Sequence, residues 1–487
     1  MADSLKEKTV KGLMWGALSN GGMQLLNVVF GIIIARQLCP SDYGIVAMIT
    51  IFSTIATALQ ESGFITALVN RKNASNLDYS SVFWFNVSAS IFIYIVLWFC
   101  APLIATYNNQ PAITSLARYA FIGFLFGSLT VVPRAMLIKE LKVKEQAISN
   151  LVALFISGIV SIIMAMSGMA YWGLVTQTNI YVLLVVLFSW HFSHFKPTFA
   201  FSISPIKEMF RFSCKMLFTK IFIQINRFAF ETLLGRFYRE DKIGYYSQAN
   251  KWNVMGSNMI TGMIQDISQP MFVKIGNETE RQRRAFRKML RFTSFLSFPL
   301  MFGLSFIAPE FIPITISEKY AASIPLMQIL CIGGAFLPIA TLYYNFIISQ
   351  GKSEIYMWNI ICQSVFILAD LFFVLNFDLT FWGCSGIQLM TIIYTIIIVL
   401  WTFVWHYFIR CEIGLTYIEM LKDVLPFILI ASASMIATHY ILLGISNMVV
   451  LLIAKILVAA IIYIGLTYIS GAKILRESIS YIMRKDL

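Results

Sequence analysis

Apolar residues in this chain come in runs of about twenty, the length at which a helix crosses a bilayer. In several runs the polar residues recur at helical spacing on one side only. The run 15–35 carries Asn20, Gln24 and Asn27 at +4 and +3, with Gly31 one turn on. On a helix these amides share a face. Hydrocarbon offers an amide no hydrogen bond, so that face meets protein or water. Read this way, the chain predicts about fourteen spans. Their cores lie at 15–35, 43–62, 82–105, 117–137, 148–166, 170–190, 212–234, 244–269, 292–308, 325–349, 357–376, 384–405, 424–443 and 448–469. The fold class is all-α, a polytopic membrane protein.

The polar stripe recurs in three other spans. Span two has Thr50, Thr54, Thr57 and Glu61 at +4, +3 and +4. Helix packing, where small hydroxyl residues are common, explains these threonines as well as a wet face does. Span seven places Lys220, Arg227 and Glu231 on one face at +7 and +4. A charge at mid-depth costs about 3 kcal/mol, so these residues face protein or a wet cavity. Arg227 and Glu231 also have the i, i+4 spacing of a structural ion pair. Span eight has Lys251, Asn258 and Gln265 at +7 and +7, with Asp266 beside the last. Arg134 follows Pro133 late in span four, where the proline frees a carbonyl and kinks the helix. Asp370 and Lys455 stand alone in spans eleven and fourteen, and Lys455 is read as snorkelling to the interface.

Composition and charge narrow the class. Of 487 residues, 58% are hydrophobic and 13% charged, about half the charged share of an ordinary soluble domain. The net charge is +13. With the N-terminus inside, alternate loops hold 26 Lys and Arg on the inner side and 6 on the outer. That asymmetry puts both termini on the cytoplasmic side. The basic segment 280–291 is read as an inner-surface helix on anionic lipid heads, because no base-reading module accompanies it. Lys6, Lys8 and Lys11 precede the first run as a signal peptide would have them, but its length and polar face make it a permanent helix.

An internal repeat is also visible. Ala35-Arg36 is followed by Gly44, and Gly235-Arg236 by Gly244, at an offset of 200 residues with six spans before the second copy. Parallel repeats follow, as two six-span lobes. The expected organisation is an N-lobe over 1–195, a C-lobe over 196–410 opening with a basic linker at 196–211, and two further spans with a tail over 411–487.

Stripes in spans one, two, seven and eight occupy equivalent places in the two lobes and are expected to line a hydrated central cavity. Amides and hydroxyls suit sugar hydroxyls, and Arg and Lys suit phosphate. The candidate substrate-binding residues are Asn20, Gln24, Asn27, Thr54, Thr57, Glu61, Arg134, Lys220, Arg227, Glu231, Lys251, Asn258, Gln265 and Asp266. No catalytic, metal or cofactor site is assigned: the seven cysteines are scattered, and His191 and His194 have no third ligand nearby.

Five segments carry a family resemblance: Pro40-Ser-Asp-Tyr-Gly44, Asp241-Lys-Ile-Gly-Tyr-Tyr-Ser-Gln-Ala-Asn-Lys251, Gln269-Pro-Met-Phe-Val-Lys274, Tyr320-Ala-Ala-Ser-Ile-Pro-Leu326 and Ser349-Gln-Gly-Lys-Ser353. In order and spacing the chain resembles the polysaccharide-transport flippases, the Wzx-type lipid-linked oligosaccharide flippases of the multidrug/oligosaccharidyl-lipid/polysaccharide exporter superfamily. The resemblance implies fourteen helices and export of a polyprenyl-diphosphate-linked oligosaccharide across a bacterial cytoplasmic membrane. It also implies a cationic central cavity, which points to Arg134, Lys220, Arg227 and Lys251, and two trailing helices that bind lipid. Membrane lipids and other polysaccharide-assembly proteins are the further partners; nucleic acid is not one. Two other readings stay open. A membrane polymerase, ligase or glycosyltransferase would need a sizeable outer loop with clustered carboxylates, which these short loops lack. A multidrug antiporter of the same superfamily would prefer an acidic cavity.

Overall fold

The computed structural model describes residues 2–61, 64, 65, 68, 75–140, 142–276, 278–376, 380, 381 and 384–470. Arg71, Lys72 and the C-terminal cations, which entered the charge count, lie outside this set. So do the side chains of Lys6, Lys8, Lys11, Arg211 and Lys215, and those of the expected site residues Glu61 and Asp266.

Backbone contacts divide the chain into two compact units, Met1–Gly244 and Tyr245–Leu487. In the first lie α1 (Ala2–Gln37), α2 (Pro40–Glu61), α3 (Asn76–Tyr107), α4 (Ala112–Ala120), α5 (Ile122–Ser128), α6 (Val131–Lys139), α7 (Val143–Met166), α8 (Ala170–Ser193), α9 (Ile203–Leu233) and the start of α10 (Glu240–Ile275). The second continues α10 and adds α11 (Thr279–Thr315), α12 (Ser323–Gly334), α13 (Leu337–Ser349), α14 (Ser353–Asn376), α15 (Ile387–Ile413), α16 (Tyr417–Ile441) and α17 (Met448–Ile469). A two-residue antiparallel ladder, Thr380–Phe381 with Cys384–Ser385, precedes α15.

Among the described residues, ten helices are long and apolar enough to cross a membrane, and eleven when one bent pair is taken as a single span. The chain is a multi-pass membrane protein with an all-α fold. Three more helices, α1, α9 and α10, have the length for a crossing at 36, 31 and 36 residues, and they carry polar stripes.

In the first unit α7 packs on α1 and α8, and α2 packs on α9. The fourth span is not one helix. It breaks into α4, α5 and α6, with a bend of 41° between Ala112–Ser128 and Val131–Lys139. Proline explains the second break: Pro133 has no N–H for the carbonyl of Leu129, four residues back. The indole Nε1 of Trp190 donates to that carbonyl instead, at 2.8 Å. Nearby, Val131, Val132 and Ala135 pack with Phe83 and Phe195 in a buried cluster.

The two loops that share the 200-residue offset meet in a reciprocal contact in the first unit. A Cβ on Gly44 would sit 1.9 Å from the carbonyl oxygen of Glu240, and one on Gly244 would sit 1.7 Å from that of Pro40. Each glycine thus meets the backbone 200 residues from its counterpart's partner, the same offset as in the sequence. Only a residue without a side chain permits this approach.

In the second unit the tenth span divides into α12 and α13 around Ala335–Phe336, where the Ser297 hydroxyl donates to the Ala335 carbonyl at 2.7 Å. The segment 280–291, expected to be helical, forms the first turns of the 37-residue α11. Three of its arginines meet carboxylates on α16. Arg283 donates to both oxygens of Glu419 at 2.8 Å. Arg287 forks onto Asp423 at 2.7 and 3.1 Å, and Arg291 lies 3.6 Å from Asp423. Glu419 also closes the capping box of α16 with Thr416.

Candidate functional site

Helix α2 starts where the chain supplies a proline at the first helical position and Asp42 two residues on. The Asp42 carboxylate accepts the Cys39 backbone N–H at 2.8 Å, which satisfies an otherwise orphaned donor. From there the helix presents Thr50, Thr54 and Thr57 along one side. Their hydroxyl protons are committed to their own helix: Thr50 donates to Val46 at 2.8 Å, Thr54 to Ile51 at 3.0 Å and Thr57 to Ser53 at 2.9 Å. The oxygens keep lone pairs, so the stripe offers acceptors.

The structure places this stripe between two cavities of the first unit. One, of about 230 Å³, is lined by Thr54, Thr57 and Ala58 of α2 and by Lys220, Ile223 and Gln224 of α9. The other, of about 240 Å³, runs from Thr50, Ser53, Thr54 and Thr57 to Gly123 of α5 and to Thr178 and Asn179 of α8. Both fall below the ~300–1,000 Å³ of common ligand pockets. Each accommodates a phosphoryl group or a sugar edge rather than a whole oligosaccharide. The first combines an ammonium, a carboxamide and two hydroxyl oxygens, a mixed set for an anion with adjoining hydroxyls.

Three of the expected residues, Thr54, Thr57 and Lys220, therefore meet around one cavity. Gln224 joins them and was missed, although it completes a +4, +3, +4 series with Lys220, Arg227 and Glu231. Thr178 and Asn179 were also missed. The Asn179 amide donates to the Tyr119 carbonyl at 2.9 Å beside the α4–α5 break, a contact no local pattern encodes.

The other expected residues are placed as follows. On α1, Asn20 is exposed and Gln24 and Asn27 are half-buried. Arg134 on α6 and Arg227 on α9 are exposed, with the Arg227 guanidinium 5.5 Å from the Phe228 ring centre. Glu231 is buried. On α10, Lys251 is half-buried, and Asn258 and Gln265 are exposed. None of these lines either of the two cavities.

Lys455 corrects the snorkelling expectation. It is buried and donates to Glu310 of α11 at 2.7 Å. A buried carboxylate of a neighbouring helix satisfies the ammonium. Asp370 on α14 is buried too, and neither of its oxygens has a hydrogen-bond partner among the described residues.

A family model described as polysaccharide biosynthesis protein matches residues 33–325. The chain belongs to that family. Among its relatives, it is 23% identical over 376 residues to the lipopolysaccharide biosynthesis protein WzxC of Escherichia coli K12, covering 75% of each chain. It is 22% identical over 366 residues to the succinoglycan biosynthesis transport protein ExoT of Rhizobium meliloti, covering 75% of this chain and 74% of that one. Among solved structures, the lipid II flippase MurJ in an inward closed conformation superposes with a TM-score of 0.77 at 16% identity, over 95% of this chain and 100% of that one. An inward-facing MATE multidrug transporter of the MOP superfamily gives 0.64 at 14% identity, over 80% and 94%. At these identities the structures establish a shared fold.

Proposed function

We propose that this family member is a flippase that moves polyprenyl-diphosphate-linked oligosaccharide units from the inner to the outer leaflet of a bacterial cytoplasmic membrane, with both termini cytoplasmic. The observation that carries this reading is the α2–α9 cavity, where Lys220, Gln224, Thr54 and Thr57 meet in a chain of the polysaccharide biosynthesis family. Phosphate pairs with the ammonium, and sugar hydroxyls donate to threonine oxygens and the amide. The names of the relatives, which include a transport protein, and the flippase fold support the same reading. So does the sequence count of about fourteen spans in two repeated lobes.

In this proposal no covalent bond changes. The chain supplies a route on which the diphosphate exchanges water for fixed dipoles and charges, and alternating access carries the head group while the lipid tail stays in hydrocarbon. The stripe on α1 (Asn20, Gln24, Asn27) is assigned to the same proposed route. Reconstitution tests it: purified protein in vesicles receives a fluorescent lipid-linked oligosaccharide, and a membrane-impermeant quencher reports its leaflet. Protein-dependent loss of protection supports the reading. Equal leaflet exchange in protein-free vesicles, with a substrate shown competent in its native membrane, contradicts it.

A further inference from the structure

The first turns of α11 have two differently charged faces. Arg283, Arg287 and Arg291 recur every four residues and are met by Glu419 and Asp423. Arg281, Arg284 and Lys288, at +3 and +4, line with Lys274 at the end of α10 an open basin of about 710 Å³, four of whose described lining residues are cationic and none acidic. Two carboxylates lie beside these arginines, Glu278 3.7 Å from Arg281 and Glu280 4.0 Å from Arg283. Two contacts brace the basin. The Gln282 amide donates to the Gly276 carbonyl across the turn, and Phe272 stacks on Phe286 behind it at 6.0 Å. Four cations on one wall repel each other, and the amino end of α11 adds positive potential. Such a concavity favours an anionic phosphate group.

The rest of the wall is apolar: Met271, Ile275 and Ala285. From Met271 an exposed stripe runs back along α10 at intervals of four residues through Ile267, Met263 and Met259, which are 55%, 53% and 52% exposed. On a membrane helix this is a track for an acyl or prenyl chain. Cations at one end and an apolar strip leading from them match an amphiphile, not a free salt. We propose that the basin between the end of α10 and the start of α11 binds the phosphate head of a membrane lipid, with its chain along Ile267, Met263 and Met259. This assignment stands apart from the transport reading, since it concerns equilibrium binding.

The test uses the full-length protein in neutral detergent, titrated with fluorescent long-chain phosphatidylglycerol, with phosphatidylcholine and inorganic pyrophosphate as comparison ligands. Arg281→Gln/Arg284→Gln/Lys288→Gln is expected to weaken phosphatidylglycerol binding about tenfold or more, given ~1 kcal/mol per surface cation. The charge-matched control Arg239→Gln/Lys242→Gln/Lys319→Gln changes it less than about twofold. Met263→Asn/Ile267→Asn weakens the long-chain lipid and leaves a short-chain phosphatidylglycerol unchanged. Thermal unfolding at the wild-type temperature verifies that each variant is folded. Undiminished phosphatidylglycerol binding by the folded basin variant overturns the site, as does an equal loss in the control. Pyrophosphate binding as tightly as the lipid, with no effect of the stripe substitutions, makes the ligand a soluble phosphate and overturns the lipid assignment.

Discussion

Lys455 of α17 donates to Glu310 of α11 at 2.7 Å, with the two side chains 8% and 10% exposed. The ammonium also lies 4.5 Å from the centre of the Phe306 ring, which adds cation–π attraction. Pro309 precedes Glu310 and Pro313 follows in the same helix, so the pair pins α17 where α11 lacks two of its own backbone donors. Removing one partner strands a charge in a poorly solvated place, which costs about 3–5 kcal/mol. Lys455→Met is therefore expected to lower the unfolding temperature strongly. Lys455→Met/Glu310→Gln is expected to recover most of it, because no buried charge is left unpaired. A double-mutant cycle by thermal unfolding in detergent checks this: additive losses would show that the pair does not couple.

The arginines of α11 should rank by the burial of their partners. Arg287 forks onto Asp423, whose side chain is 4% exposed, whereas Arg283 binds the more accessible Glu419 at 23%. Arg287→Ala is expected to destabilise by about 3 kcal/mol and Arg283→Ala by about 1 kcal/mol or less. Arg281→Ala, on the basin face, should change stability least. Denaturant or thermal unfolding of the three variants gives the order directly, and a larger loss at Arg281 than at Arg287 contradicts it.

The glycine pair at the repeat is expected to be intolerant on both sides. Gly44→Val and Gly244→Val put a branched side chain where a backbone oxygen stands less than 2 Å from the ideal Cβ. Both should lose stability and transport together. Gly21→Ala on α1 meets nothing within 4 Å and gains helix propensity of up to about 1 kcal/mol. Tolerance of Gly44→Val with wild-type stability would show that the close approach is not required.

Much of this was legible in the sequence, for a physical reason that also marks its limit. Helical spacing of polar residues is a local property, so the α2 threonines and Lys220 could be placed on faces before any coordinates, and Pro133 marked its break. Gln224 was legible by the same rule, one turn after Lys220. What could not be read were partners far apart in the chain. Lys455 and Glu310 are 145 residues apart, and Arg287 and Asp423 are 136 apart. For that reason a paired lysine was read as snorkelling, and the carboxylate partners of Arg283, Arg287 and Arg291 were not foreseen.

Within the cavity, the hydroxyl and the charge should separate. Thr57→Val removes an acceptor whose proton is already spent on Ser53, so its effect on transport should be modest, about two- to fivefold for one neutral contact. Lys220→Gln removes the cation and should cost about tenfold or more, because hydrogen bonds to charged groups are worth roughly 1.5–3 kcal/mol. Initial rates in reconstituted vesicles at matched protein levels distinguish the two, and equal losses would contradict the distinction.

The measurement that bears most directly on the cationic route compares two substrates carrying the same oligosaccharide, one on a lipid diphosphate and one on a neutral lipid, in vesicles bearing wild-type protein or Lys220→Gln. The expected result is that the wild type flips the diphosphate form at least about tenfold faster and that Lys220→Gln loses most of this preference. Equal flipping of both substrates by the wild type, or full discrimination retained without the Lys220 charge, would contradict the assignment of the α2–α9 cavity to phosphate.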